Sequence, residues 1–257
     1  MKRVLTAAVL IPASVYLVVL APRPLFLAAA LFMAVMCFHE YRKLAAAHGV
    51  PVWGPFAYAA GVAVMLAPRA ELLVAALIAL LALVLALRSE DLSLVLPRSS
   101  ALILGVLYTF GPWRFAVGLR DLNAFWLLYA LALVWVGDTA AYCAGKGFGR
   151  HPLAPRLSPA KTWEGAAASL LASGIFGVVY VGSLIPETPR WEVVVLTVVA
   201  TVSGQLGDLA ESALKRGAQV KDSGNLLPGH GGFLDRLDSS LFTIPVVYFW
   251  LVKPWQG

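Results

Sequence analysis

The sequence is poor in charged residues. Asp, Glu, Lys and Arg make up 13% of its 257 residues, whereas soluble domains carry about 25%. Hydrophobic residues account for 60% of the chain, and the mean hydropathy is +0.80. This composition excludes a soluble globular fold and predicts an integral membrane protein that crosses the bilayer several times.

Cysteine is nearly absent, and so are repeats and low-complexity tails. Cys37 and Cys143 lie far apart in apolar stretches, which excludes a disulfide framework and a cysteine metal site. No basic stripe with interleaved aromatic residues is present, so we expect no nucleic-acid partner. The net charge of +6 is explained by Lys and Arg in cytoplasmic loops and beside anionic lipid head groups.

Long apolar runs are what the sequence has instead. Their lengths predict an all-α fold with about nine transmembrane helices. The predicted spans lie near residues 4–20, 24–38, 53–67, 71–87, 100–118, 122–144, 163–185, 191–211 and 239–253. The first run is too long for a signal peptide and lacks a cleavage site, so we interpret it as an uncleaved span. The fifth contains Gly111-Pro112 and is expected to be broken or partly interfacial.

Loop charge predicts the orientation. The nine-span arrangement places 14 of the 20 Lys and Arg residues on the side of the amino terminus. The positive-inside rule assigns that side to the cytoplasm. Eight of the 14 lie in two polar loops, and the remaining loops are balanced, so the orientation depends on those loops and on Lys2-Arg3. We expect a protein of the cell (inner) membrane whose active site faces the cytoplasm.

Polar residues are concentrated after residue 137. We therefore divide the chain into an amino-terminal transmembrane scaffold, residues 1–120, and a catalytic transmembrane region, residues 121–257. The catalytic region contains two predicted cytoplasmic loops, 145–162 and 211–238.

The end of the eighth predicted span carries four polar residues at helical spacing. Asp208, Glu211, Ser212 and Lys215 stand at i, i+3, i+4 and i+7 and would share one helix face. Ionisable groups at the end of a span usually face protein or a water-filled cavity. Two carboxylates and a hydroxyl on one face predict an oxygen site suited to Mg²⁺.

A glycine-rich turn follows this face. Lys221-Asp222 precede the segment 228–232, whose glycines would let backbone N–H groups approach a phosphate. Asp235, Arg236 and Asp238 come next. Two carboxylate pairs flanking one loop would converge on one or two metal ions, as in phosphoryl and nucleotidyl transfer. The alternative is a solvated polar loop without a binding function, but glycines and the ends of two spans interrupt the run of charged residues.

A second polar cluster occupies residues 137–165. Asp138 and Tyr142 stand at i and i+4, and Ser158-Pro159 is interpreted as an N-cap and first helical residue. Lys161 would then lie in a first helical turn, which is a natural phosphate site. The alternative is a basic loop that binds lipid head groups. Two predicted crossings separate this loop from 211–238, so both would lie on one side and form one site.

These residues resemble the signature of the phosphatidate cytidylyltransferase family. The matching stretch is Ser212-x2-Lys215-Arg216-x4-Lys221-Asp222-x-Gly224-x2-Leu227-Pro228-x-His230-Gly231-Gly232-x2-Asp235-Arg236-x-Asp238, joined by Gly137-Asp138 and Ser158-Pro159-x-Lys161-Thr162-x-Glu164-Gly165. The resemblance covers roughly residues 130–240. It implies transfer of a cytidylyl group from CTP to phosphatidate, giving CDP-diacylglycerol and pyrophosphate, with a divalent metal. It is also compatible with a homodimer.

Residue roles follow as hypotheses from this resemblance and from the residue chemistry. The nucleophile is already an anion, so catalysis requires positioning and charge neutralisation more than a general base. The expected catalytic residues are Lys215, Arg216, Lys221, Asp235 and Arg236. The expected Mg²⁺ ligands, with room for a second cation, are Asp208, Asp235, Asp238, Glu211 and Asp222. The expected substrate-binding residues are Asp138, Tyr142, Ser158, Lys161, Ser212 and His230.

Three alternatives remain at this point. A CTP-dependent transferase could act on another lipid phosphate or on a polyprenol, because acyl-chain specificity lies in apolar surface. A transporter would predict inverted repeats and charges in both halves, which the sequence lacks. A non-catalytic membrane scaffold leaves the ordered pattern of acids, bases and glycines unexplained.

Overall fold

The computed structural model describes residues 11–67, 71–226 and 231–253. A short helical stretch, Ile11–Leu20, ends in a π-helical turn, Tyr16–Leu20, and a 3₁₀ turn covers Leu92–Leu94. The longer helices are α1 (Arg23–Ala47), α2 (Gly54–Leu66), α3 (Glu71–Ala86), α4 (Val95–Phe148), α5 (Trp163–Leu184), α6 (Arg190–Gly217) and α7 (Leu234–Val252). Strands β1 (Pro152–Ala154) and β2 (Ser158–Thr162) form an antiparallel hairpin. The predicted helical fold class is confirmed.

The predicted number of spans is not confirmed. Among the described residues, four helical stretches are long and apolar enough to cross a membrane: Arg23–Ala47, Leu92–Phe148, Trp163–Leu184 and Arg190–Gly217. Three apolar helices are shorter: Ile11–Leu20, Gly54–Leu66 and Leu72–Ala86. At 1.5 Å per residue, a straight helix needs about 20 residues to cross the hydrocarbon core. The first predicted span also begins outside the described residues.

Helix α4 contains one internal break. Asn123 has extended backbone angles, φ −164° and ψ 118°, and its Oδ1 accepts a hydrogen bond of 2.9 Å from Phe125 N. An asparagine side chain that takes a backbone donor competes with the helical hydrogen bond and starts a new segment. The break separates the predicted spans 100–118 and 122–144. The helix continues through Pro112, so the break lies at Asn123 and not at Gly111-Pro112.

By its contacts the chain forms two compact units. The first unit comprises the described parts of Met1–Ala30, Phe115–Leu206 and Phe242–Gly257. At its core Tyr129 Oη lies 2.7 Å from Thr197 Oγ1, and Thr197 donates to the Val193 carbonyl at 2.6 Å. Phe176 and Tyr180 pack against the Tyr129 ring. The hydroxyls of Tyr129 and Thr197 are thus paired within the unit, as expected for polar groups in an apolar interior.

The second unit comprises the described parts of Leu31–Arg114 and Gly207–Leu241. An aromatic core forms where Phe38 of α1 packs against Tyr41, Tyr58 and Phe110. Tyr41 Oη donates to the Ala101 carbonyl at 2.9 Å. The described parts of residues 31–114, which belong to the predicted scaffold, and of the signature segment 207–241 therefore share one packed unit.

Large apolar side chains are exposed along several helices. Leu72 of α3 is 85% exposed, and Leu171 and Ile175 of α5 are about 70% exposed. Soluble proteins rarely expose contiguous apolar surface of this kind, whereas lipid tails solvate it well. Together with the long apolar helices, this surface identifies a membrane protein.

Candidate active site

The last turns of α6 carry a buried ion pair. Glu211 is completely buried, and its carboxylate pairs with Lys215 Nζ one helical turn later. Among the described residues, no other group donates to the two Glu211 oxygens. Glu211 and Lys215 are in direct contact, which confirms the prediction that they share a helix face.

Lys215 also reaches across to the start of α7. Its Nζ lies 2.6 Å from Asp235 Oδ1. Burial acts to raise the pKa of Asp235, but the Lys215 ammonium and the N–H groups of Gly232 and Ser223 hold that pKa below its ordinary value. One lysine thus holds together two carboxylates from different helices, and Asp235 is kept ionised.

Asp235 is surrounded by donors. Its Oδ2 accepts from Ser223 N at 2.9 Å, Ser223 Oγ at 2.9 Å and Gly232 N at 2.8 Å, and its Oδ1 accepts from Lys215 and, at 3.2 Å, from Ser223 N. A carboxylate offers about four lone-pair sites, so its acceptor capacity is used. The backbone N–H of Gly232, predicted to approach a phosphate, binds this carboxylate instead.

Sequence reasoning missed Glu40 on α1. This side chain is completely buried; it accepts from Phe233 N at 3.1 Å, Leu234 N at 2.8 Å and Ser223 Oγ at 3.0 Å. A single acid within the apolar run Arg23–Ala47 is the signal that would have found it. We call Glu40, Glu211, Lys215, Ser223 and Asp235 the Lys215 cluster.

Three further predicted residues lie in the same unit. Ser212 and Asp238 are buried, with Asp238 Oδ1 accepting from Ser239 N at 2.7 Å, and Asp208 is half-buried. Together with Glu211 and Asp235, these residues place the predicted acids of α6 and α7 in one packed unit.

The remaining predicted residues of this unit are exposed. Arg216 donates a hydrogen bond of 3.1 Å to the carbonyl of Val220, a residue that follows the end of α6 in sequence. Lys221 and Asp222 lie in the bend that follows, and Arg236 lies in the first turn of α7. Cations in these positions are accessible to a charged ligand. His230 lies outside the described residues.

The arrangement of these side chains bears on metal binding. Among the described residues, no group of three or more His, Cys, Asp or Glu side chains is arranged to hold a metal ion. The donor chemistry nevertheless suits a hard cation, since Asp208, Glu211 and Asp238 carry carboxylate oxygens. Metal binding by Asp235 would require it to release one of its present donors.

The second polar cluster contains a correction. Ser158 and Lys161 lie in β2, which pairs with β1, and α5 begins at Trp163 with Thr162 as its N-cap. Thr162 Oγ1 accepts from Gly165 N at 3.2 Å. The predicted N-cap at Ser158 is wrong because hairpin pairing keeps 158–162 extended and Thr162 supplies an equally suitable hydroxyl. Lys161 therefore precedes the helix start.

Asp138 and Tyr142 lie near the end of α4, and both are exposed. Lys146 Nζ lies 5.9 Å from the centre of the Tyr142 ring, within range of a weak cation–π contact. His151 and Glu164, which we did not predict as partners, join the hairpin to α5: His151 Nδ1 lies 2.6 Å from Glu164 Oε1. This segment therefore presents polar groups at the surface of the first unit.

Comparisons with known proteins agree with the motif. A model of the cytidylyltransferase family matches residues 1–253. A phosphatidate cytidylyltransferase of Bacillus subtilis (strain 168) is 40% identical over 151 residues, 58% of this chain and 56% of the relative. A protein of the same name from Staphylococcus haemolyticus (strain JCSC1435) is 38% identical over 151 residues, 59% of this chain and 58% of the relative. The chain thus spans little more than half the length of these curated relatives.

Proposed function

The chain belongs to the cytidylyltransferase family, and from that premise we propose that it transfers the cytidylyl group of CTP to phosphatidate. The products would be CDP-diacylglycerol, for phospholipid synthesis, and pyrophosphate. The name carried by the relatives supports this substrate pair.

One structural observation supports the proposal independently of the name that the relatives carry. Lys215 and Asp235, two residues of the signature, form a buried ion pair of 2.6 Å at the ends of two different helices. Burying charges costs several kcal/mol each unless they are paired and hydrogen-bonded. Fixed charges of this kind suit a transfer between two polyanions, which depends on positioning and charge neutralisation.

The chemistry assigns simple roles to the described residues. A phosphate oxygen of phosphatidate attacks the α-phosphorus of CTP, a new P–O bond forms, and the bond to the β-phosphate breaks, so that pyrophosphate leaves with the electron pair. Both reactants are anions, and their repulsion must be offset. Lys215 is oriented by Asp235 and Glu211. The exposed cations Arg216, Lys221 and Arg236 would contact phosphates.

A divalent cation would complete the site. Asp208, Glu211 and Asp238 would hold Mg²⁺, with Asp222 as a further donor and room for a second cation. When bound, the ion would offset negative charge on the triphosphate and on the pyrophosphate. Asp235 would join these ligands only after releasing Lys215 or an N–H donor.

The second polar cluster would supply the remaining contacts. We propose that Lys161 and Ser158 of β2 bind phosphate, and that Asp138 and Tyr142 contact the substrate from the end of α4. His230 would hydrogen-bond a phosphate oxygen. We also propose that the protein lies in the cell (inner) membrane with this site facing the cytoplasm, where CTP is available, and that it forms a homodimer.

The experiment is radiolabel transfer in detergent. The purified protein is given phosphatidate, Mg²⁺ and CTP labelled at either the α- or the γ-phosphate, and label is followed into the lipid phase. Label entering lipid from α-labelled CTP, with release of pyrophosphate, supports cytidylyl transfer. Label from γ-labelled CTP would instead indicate a kinase. Transfer that requires another lipid phosphate or a polyprenol would retain the site and replace phosphatidate as the acceptor.

A further inference from the structure

Glu40 is an acid buried in the segment that we predicted to be scaffold. It lies on α1, 183 residues before Ser223, and its exposed fraction is 0%. A carboxylate in an apolar helix is costly unless several donors surround it. The groups that donate to Glu40 therefore indicate the role of this side chain.

The donors around Glu40 come from the signature segment. Phe233 N and Leu234 N are backbone N–H groups at the start of α7, where a helix has no internal acceptors for its first N–H groups. A negative charge at this position is also favoured by the helix dipole. Glu40 thus caps α7 from a distant part of the chain.

Two glycines of the signature lie against the Glu40 side chain. A Cβ atom on Gly224 would lie 2.5 Å from Glu40 Oε1, and a Cβ atom on Gly232 would collide with Glu40 Oε2. Any side chain at either position would displace the carboxylate or the loop. Residues 223–224 and 232–234 therefore pack around the Glu40 carboxylate.

Ser223 connects Glu40 to Asp235. Its Oγ lies 3.0 Å from Glu40 Oε2 and 2.9 Å from Asp235 Oδ2. A hydroxyl has one hydrogen, so it is shared by the two carboxylates in a three-centred bond or alternates between them. A continuous chain of contacts then runs from Glu40 through Ser223 and Asp235 to Lys215.

We propose that Glu40 is a positioning residue for the transfer reaction: it anchors residues 223–224 and 232–234 and, through Ser223, sets Asp235 and Lys215 in place. The catalytic part of this proposal rests on the proposed function, whereas the anchoring of these residues does not. A misplacement of about 1 Å at a reacting group can cost on the order of a hundredfold in rate.

The main test is Glu40→Gln in the full-length protein. The amide keeps the size of the side chain but turns one acceptor into a donor that faces N–H groups. We expect kcat to fall about 10- to 100-fold, as for loss of an orienting residue, with a changed KM for CTP. The matched control is Tyr41→Phe, a buried neighbour that loses one hydrogen bond to Ala101. Partial unfolding alone would lower kcat in both variants and leave KM unchanged.

Hydrogen exchange supplies a measurement that does not depend on activity. In Glu40→Gln we expect the amides of Ser223, Gly232, Phe233 and Leu234 to exchange at least about tenfold faster, while the Tyr41→Phe variant retains wild-type exchange there. Faster exchange in a protein whose wild type transfers no cytidylyl group would retain the anchoring role and reject the proposed function. Wild-type exchange and wild-type kinetics in Glu40→Gln would overturn the positioning role.

A size-compensation pair tests the contact itself. Gly224→Ala should lower activity about tenfold or more in the wild-type background, because the new methyl group meets Glu40 Oε1. In a Glu40→Ala background the methyl group has space, so adding Gly224→Ala should change the remaining activity less than about twofold. Equal losses in both backgrounds would contradict the packing of these residues around Glu40.

Discussion

The two polar regions of this protein differ in burial. In the Lys215 cluster Glu40 and Asp235 are bound by donors from other parts of the chain, Glu211 pairs with Lys215 of its own helix, and Glu40 and Glu211 are fully buried. In the segment 137–165, by contrast, Asp138 and Tyr142 are exposed and a short hairpin carries Lys161. The buried region is a fixed framework, whereas the exposed region presents polar groups at the surface. Substitutions in the two regions should therefore fail in different ways.

The largest expected effect is that of Asp235→Asn. The amide cannot accept all five contacts that the carboxylate accepts, and the Lys215 ammonium loses its partner. We expect kcat to fall at least about a thousandfold in a protein that is still inserted and folded, as measured by label transfer and by gel filtration in detergent. Near wild-type turnover would remove Asp235 from the site.

A smaller effect is expected for Lys161→Ala in the exposed region. Loss of one charge-assisted contact to phosphate should raise KM for CTP or phosphatidate about tenfold, with little change in kcat. The matched control is Arg156→Ala, an exposed cation of the same hairpin that lies outside the signature. Equal changes in both variants would indicate a general effect of charge near the lipid head groups.

Thr162→Ala should act on stability and not on chemistry. Removing the acceptor for Gly165 N costs about 1 kcal/mol, which corresponds to a decrease in Tm of about 2–4 °C for a domain of this size. Thermal unfolding in detergent measures it. Ser158→Ala, at the position wrongly predicted to be the cap, should leave Tm unchanged; a decrease only in Ser158→Ala would reverse our assignment of the helix start.

The smallest effect concerns pH. The pKa of Asp235 is lower in the folded protein than its ordinary value, so its contribution to stability is complete above about pH 4 and is lost as the pH falls through the lower, folded pKa. The difference in Tm between wild type and Asp235→Asn should therefore be largest near about pH 6 and shrink towards about pH 3. A constant difference would show that the Asp235 charge is not what stabilises the loop.

Local spacing predicted one part of this region correctly. Helical periodicity placed Glu211 and Lys215 on one helix face, and the two side chains are in contact. The N-cap at Ser158 was wrong because strand pairing, which depends on residues 152–154, overrides a local capping preference. The boundary between the predicted spans 100–118 and 122–144 followed from the apolar runs, but its exact position at Asn123 did not, because an asparagine side chain can also be accommodated within a helix.

The sequence by itself determined the membrane character, the helical class and the family, because composition, apolar run length and an ordered motif are all properties of the linear chain. Only the tertiary structure decided that Glu40 belongs with the signature. A buried carboxylate must find its donors, but the chain does not specify which of the distant N–H and hydroxyl groups will be nearest. The packing of α1 against the loop and the start of α7 made that choice.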